Sequence, residues 1–90
     1  MNKQELIAMI SEKTGMTKAD ANRAVDAYHE SVMQELKNGG EVRLVGFGTF
    51  LLGHRAATTG RNPRTGEKIQ IAASKRPKFR PGQPFVDEVN

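Results

Sequence analysis

Between residues 53 and 80 the 90-residue sequence places eight cations (Arg55, Arg61, Arg64, Lys68, Lys75, Arg76, Lys78 and Arg80) against the single acid Glu67, a local net charge of +7. At the middle of that block stands Gly60-Arg61-Asn62-Pro63-Arg64-Thr65-Gly66, a run dense in turn formers. Arg55, Arg61 and Arg64 gather about this turn, with Pro63 at its apex. Guanidinium groups suit a narrow groove of negative potential, and an apolar ring at the tip of a turn can wedge between base steps and kink a duplex. The second cluster, Lys75, Arg76, Lys78 and Arg80, has the charge for phosphate contacts that position a protein without reading sequence. The plainer alternatives are a solvated basic loop whose proline only stiffens its turn, and a solubilising face.

The rest of the chain is close to neutral. Residues 1–52 carry six basic and seven acidic side chains, residues 81–90 carry only Asp87 and Glu88, and the whole chain is +4. Charge held in one block points to a polyanionic partner more than to solubility.

Other chemistries fail on spacing. Gly46-Phe47-Gly48 opens like a dinucleotide loop, but position 51 is Leu and no helix follows. Gly60 to Gly66 followed by Glu67-Lys68 lacks the Gly-Lys-Ser/Thr of a phosphate loop. His29 and His54 have no companions at metal-ligand spacing, and there is no Cys, so neither a metal site nor a disulfide is expected. No cofactor and no catalytic residue is expected either. No run of about 20 apolar residues could span a membrane. The polar start Met1-Asn2-Lys3-Gln4-Glu5 lacks a signal peptide's apolar core, and a composition without Cys fits a reducing cytosol.

The elements that must position the cations read as follows. Residues 3–14 form a helix, with Asn2 as N-cap, an apolar stripe of Leu6, Ile7, Met9 and Ile10, and Gly15 closing it in the left-handed conformation. Residues 18–37 form a longer one, capped by Thr17, with the stripe Ala21, Ala24, Val25, Tyr28, Val32 and Leu36. The three-residue link Gly15-Met16-Thr17 makes the pair an αα-hairpin. From Glu41 the period becomes two: Val42 and Leu44 alternate with Arg43, and Phe50 and Leu52 with Thr49 and Leu51. Gly46 and Gly48 in this pattern predict a bend or a close backbone approach. Residues 53–74 read as a long hairpin arm without a hydrophobic face of its own, marginally stable in water and mobile when free. Residues 75–80 return to the body, where Pro77 needs an edge or strand-start position. After Pro81-Gly82 a short helix over 83–89 would turn Phe85 and Val89 inward.

Phe47, Phe50 and Phe79 are the expected large core pieces, with Phe85 as a fourth. Without the arm, too little chain remains for a comfortable core, and association is the device still open. An obligate dimer is expected. No aromatic residue lies within 53–74. That disfavours base stacking, the mode of single-strand binders, and favours duplex binding through backbone, groove and deformation.

Taken together, Met1-Asn2-Lys3, Thr17-Lys18, the signature Gly46-Phe47-Gly48-Thr49-Phe50, then Arg55-Ala56-Ala57 and Gly60-Arg61-Asn62-Pro63-Arg64-Thr65-Gly66 resemble the bacterial HU-type histone-like proteins, the family that includes integration host factor. The resemblance spans essentially the whole chain. It implies an α+β fold with a helix-turn-helix-like αα-hairpin, a three-stranded antiparallel sheet bearing a long extended β-ribbon arm, a short C-terminal helix, and an intertwined dimer with Phe47, Phe50 and Phe79 in its core. Within one HU-like domain over 1–90 it implies a helical dimerisation base (1–40), saddle strands (41–52 and 75–80), the DNA-binding arm (53–74) and the C-terminal helix (81–90).

The function it implies is architectural, without sequence specificity. Two arms would follow the minor groove of double-stranded DNA, and Pro63 would intercalate at each tip. Lys3, Arg55, Arg61, Asn62, Arg64, Lys68, Lys75, Arg76, Lys78 and Arg80 would contact DNA, and bent, nicked or gapped duplexes would be preferred. The place implied is the nucleoid of a bacterial cytoplasm. The sequence departs from the family's usual pattern at Thr58, Gln83, Pro84 and Val86, and Arg76 and Lys78 add charge. Phosphate contacts are therefore expected to shift toward the arm base. A chain ending at Asn90 fits a homodimer better than an integration-host-factor-like subunit with a preferred site, although pairing with a sister subunit is an alternative. An RNA-binding module using the same charge is the other alternative, and a basic ribbon docking on an acidic protein is a third.

Overall fold

The computed structural model describes residues 1–90. Asn2 opens α1 (Lys3–Thr14) with an extended backbone, and its Oδ1 accepts the Glu5 N–H at 2.9 Å. This satisfies one of the donors that a helix start leaves orphaned. Gly15 closes the helix at φ 77, its N–H donating to the Ser11 carbonyl at 2.9 Å; without a Cβ that conformation carries no strain. The link is pinned by Ser11 Oγ donating to the Met16 carbonyl at 2.6 Å. Thr17 Oγ1 then accepts the Asp20 N–H at 3.1 Å and caps α2 (Lys18–Lys37).

The chain divides into two compact units, Met1–Glu35 and Leu36–Asn90. In the first, Ile7, Ala21 and Val25 are buried, with Ile10 packed against them. The apolar stripes are only partly used, since Met9, Ala24 and Tyr28 are exposed. At 20 residues to 12, about 30 Å against 18 Å, α2 outruns α1 and leaves Tyr28 uncovered.

The second unit contains β1 (Val42–Leu44), β2 (Gly48–Arg55), β3 (Thr58–Arg61), β4 (Lys68–Ile71), β5 (Ser74–Pro81) and α3 (Gln83–Val89). Strands β1, β2 and β5 form an antiparallel sheet in the order β1-β2-β5, while β3 and β4 pair separately as a two-stranded ribbon. Pro77, opposite Leu52, sits on the edge strand, where a missing N–H costs no ladder bond. The sheet continues into the segment that composition assigns to the arm, because β5 supplies partners for Gly53, His54 and Arg55.

Register sorts the side chains. Val42 lies opposite Phe50, Phe50 opposite Phe79, and Leu52 opposite Pro77. With alternate residues pointing to opposite faces, these form one apolar face together with Leu44. The turn between β1 and β2 is closed by the Phe47 N–H donating to the Leu44 carbonyl at 3.0 Å, with Gly46 at φ 82. Gly48 is the close approach anticipated from the pattern: a Cβ there would lie 2.5 Å from Phe79 Cζ and 2.6 Å from the Arg80 carbonyl oxygen. The Gly82 N–H donates to the Phe47 carbonyl at 2.9 Å and anchors the start of α3.

The phenylalanines gather as expected. Phe79 has ring centroids at 5.4, 4.9 and 5.9 Å from Phe47, Phe50 and Phe85, and Phe47 lies 5.2 Å from Phe85. They are not buried, however: Phe47 stays 43% and Phe79 37% exposed, and Val89, expected to turn inward, is 70% exposed. One sheet layer and a seven-residue helix are too little to enclose four rings. The expectation of a ribbon without a hydrophobic face is also corrected. Thr58, Gly60, Ile69 and Ile71 share one face, and Ile71 Cδ1 lies where a Cβ on Gly60 would approach to 2.9 Å. Composition hid this stripe because it is only two isoleucines wide, and Ile69 is still 47% exposed.

Gly48→Ala should destabilise the fold by about 1–3 kcal/mol, the usual cost of overpacking where backbone has to yield. Thermal unfolding measures it, and an unchanged midpoint would mean that the sheet has room to spare.

Candidate nucleic-acid interface

The same alternation that builds the apolar face builds a cationic one. Arg43 lies opposite Thr49 and Thr49 opposite Arg80, so the three form a row across the sheet. Along β2 and β5 the next pairs on this face are Leu51 with Lys78, Gly53 with Arg76, and Arg55 with Ser74. The face therefore carries Arg43, Arg55, Arg76, Lys78 and Arg80. Arg43 Nη2 donates to Glu41 Oε1 at 2.9 Å. Gly53 leaves room for the Lys78 stem to lie flat across β2, since a Cβ at Gly53 would come within 2.8 Å of Lys78 Cδ.

Two results differ from the sequence picture. The run Lys75-Arg76-Lys78-Arg80 is split, because Lys75 pairs with His54 and shares the parity of Pro77 and Phe79. Arg43 joins the cationic face although composition gave no reason to single it out. The signal was its position between Val42 and Leu44, which sends it to the side opposite the apolar residues.

On the ribbon, Arg61 lies opposite Lys68, flanked on the same face by the pair Thr59 and Gln70. Like charges directly opposite on a strand pair are unfavourable by themselves. An anion lying between two such cations would reverse the sign. Beyond it the Asn62 N–H donates to the Glu67 carbonyl and the Gly66 N–H to the Asn62 carbonyl, each at 2.8 Å. Pro63 and Arg64 are exposed in the turn so closed.

Lys3 belongs to the other unit, and its Nζ is paired with Asp26 Oδ1 at 2.7 Å. Both side chains are about half exposed. An ion pair in such a setting contributes about 0–1 kcal/mol. No three His, Cys, Asp or Glu side chains gather where they could hold a metal ion, and no helix is long and apolar enough to cross a membrane.

A sheet with one apolar and one cationic face, carrying a cationic ribbon tipped by proline, defines a class of nucleic-acid-binding scaffold rather than an enzyme cleft. Residues 1–90 match the family described as "Bacterial DNA-binding protein" over their whole length, and the chain belongs to that family, in agreement with its HU-type resemblance. The DNA-binding protein HRm of Rhizobium meliloti is 52% identical over 90 residues, covering 100% of both chains. The DNA-binding protein HU of Geobacillus stearothermophilus is 49% identical over 89 residues, or 99% of each. Among solved structures, an Anabaena HU–DNA cocrystal structure matches with a TM-score of 0.90 at 40% identity, over 99% of this chain and 97% of that one.

Separation of the faces makes a measurable difference between neighbouring lysines. Lys78→Ala should flatten the salt dependence of duplex binding by about 0.9 in log–log slope for each phosphate left without its cation, as counterion release requires. Lys75→Ala should change it less. Titrations over a salt series check this, and equal effects would mean that the parity of β5 does not govern which of its side chains reach the DNA.

Proposed function

We propose that the chain is an architectural, histone-like binder of duplex DNA that acts as a dimer, without sequence specificity and without catalysis, in the nucleoid of the bacterial cytoplasm. The observation that carries this reading is the sheet's cationic face, Arg43, Arg55, Arg76, Lys78 and Arg80, together with Arg61 opposite Lys68 on the ribbon and an exposed Pro63 at its tip. The sheet contacts position phosphates, and the ribbon enters a groove. Minor-groove architectural proteins, HU itself among them, insert apolar wedges that kink the duplex by about 20–90°. Pro63 takes that role here.

The DNA-bound Anabaena relative supports the choice of partner. The uncovered apolar surface at Phe47, Phe79 and Val89 supports a second copy, with Phe47, Phe50 and Phe79 at its core. Two copies then bring two ribbons to one duplex, and bending the DNA by wrapping it serves compaction. Pre-distorted DNA binds tighter because part of the deformation energy is already supplied.

The competing reading, a module for structured RNA, is supported by charge alone. The exposed phenylalanines cluster around Phe79, on the parity opposite to Arg76, Lys78 and Arg80, so they are poorly placed to stack bases among those cations.

Binding to intact and nicked duplexes across salt tests the proposal. If a dimer neutralises roughly eight phosphates, log K against log salt should slope near −7, and the nicked form should bind tighter. Salt-independent affinity, or no preference for the nick, would contradict it. Stronger competition by structured RNA than by nicked duplex would turn the assignment to the RNA reading.

A further inference from the structure

We infer that Asn62 is a positioning residue for Pro63 and not a direct contact to the duplex; this rests on the reading of Pro63 as the wedge and adds what holds it in place. Asn62 Oδ1 accepts the Arg64 N–H at 2.9 Å, closing an Asx turn with Pro63 inside it. The main chain of Asn62 closes the loop twice more, through its N–H to Glu67 and its carbonyl to Gly66, at 2.8 Å each. Thr65 Oγ1 accepts the Glu67 N–H at 3.3 Å, and Gly66 takes the left-handed conformation at φ 72 that lets the chain return. Asn62 is partly buried while its neighbours Pro63 and Arg64 are exposed, so its side chain faces into the turn and theirs face out.

The physical need follows from the ribbon. Its apolar face is only two isoleucines wide, too little to hold a tip in one geometry. Pro63 has no N–H, so it cannot contribute a donor to the turn, and its ring fixes only its own φ. The bond across it, from Arg64 to Asn62, fixes the peptide that follows. A wedge presented in one orientation loses less conformational freedom on insertion than a floppy one. The side-chain oxygen of Asn62 is already committed to this task in the free chain.

The test uses four full-length variants, Asn62→Ala, Asn62→Ser, Asn62→Asp and Pro63→Ala. In the free protein, amide exchange at Arg64 should speed up about tenfold in Asn62→Ala, the population ratio that one hydrogen bond of ordinary net strength maintains. Asn62→Asp and Asn62→Ser, which keep an acceptor but lose the amide donor, should retain most of the protection. On an end-labelled duplex at saturating protein, the bend read by fluorescence transfer should fall in Asn62→Ala toward that of Pro63→Ala and recover in Asn62→Ser or Asn62→Asp. Arg64 exchange unmoved by Asn62→Ala would overturn the inference. So would bends in both Asn62→Ser and Asn62→Asp as poor as in Asn62→Ala, which would mark a direct contact through the amide group. If Pro63→Ala bends DNA like the parent, the wedge reading is what fails, and the Arg64 exchange still decides whether Asn62 builds the turn.

Discussion

Side chains on a strand alternate between two faces, and β5 uses that alternation to carry two surfaces that no single environment satisfies. Phe79 and Pro77 point one way, and Arg76, Lys78 and Arg80 point the other. Slipping the register by one residue would put arginines among the phenylalanines and expose the rings on the cationic side. Gly48 belongs to the same constraint, because the ring of Phe79 and the carbonyl of Arg80 occupy the space a side chain would need. So does Gly53, which leaves the cationic side open for the stem of Lys78.

The two faces have different consequences. An apolar face left 43% exposed at Phe47 and 37% at Phe79 is a folding liability in a chain whose buried hydrophobic side chains are Ile7, Ala21, Val25 and Leu36. A second copy answers it. The cationic face has the opposite problem: like charges in a row repel until a polyanion lies across them. Under the proposed function the same molecule resolves both, one face by pairing and the other by binding DNA, and the ribbon extends the second solution beyond the sheet. Arg61 opposite Lys68 repeats on the ribbon what the sheet does with Arg76, Lys78 and Arg80.

Local chemistry is legible in the sequence, and anything needing a second face or a second molecule is not. Asn2, Gly15 and Thr17 announce the ends of α1 and α2 because capping depends on a few neighbouring residues. The edge position of Pro77 follows from its missing donor. By contrast, Lys75 looks like one of four equivalent cations until pairing with His54 gives it the other parity, and Arg43, set apart from Val42 and Leu44 by alternation, joins the other cations only when Thr49 aligns it with Arg80. Phe47 and Phe79 read as core from their type. In one chain they form a cluster without cover, because hydrophobicity says that a ring is to be buried but not by which chain. Asn62 reads as a contact from its company of arginines, whereas its hydrogen bonds turn it inward.

The central claim is that an apolar face closed by a second copy carries two ribbons to one duplex. Sedimentation equilibrium of the protein alone and with a short nicked duplex tests it most directly. The prediction is a free species of twice the 9.9 kDa chain mass and a complex of two chains on one duplex. A folded single chain in solution, or one chain per duplex at saturation, would contradict it.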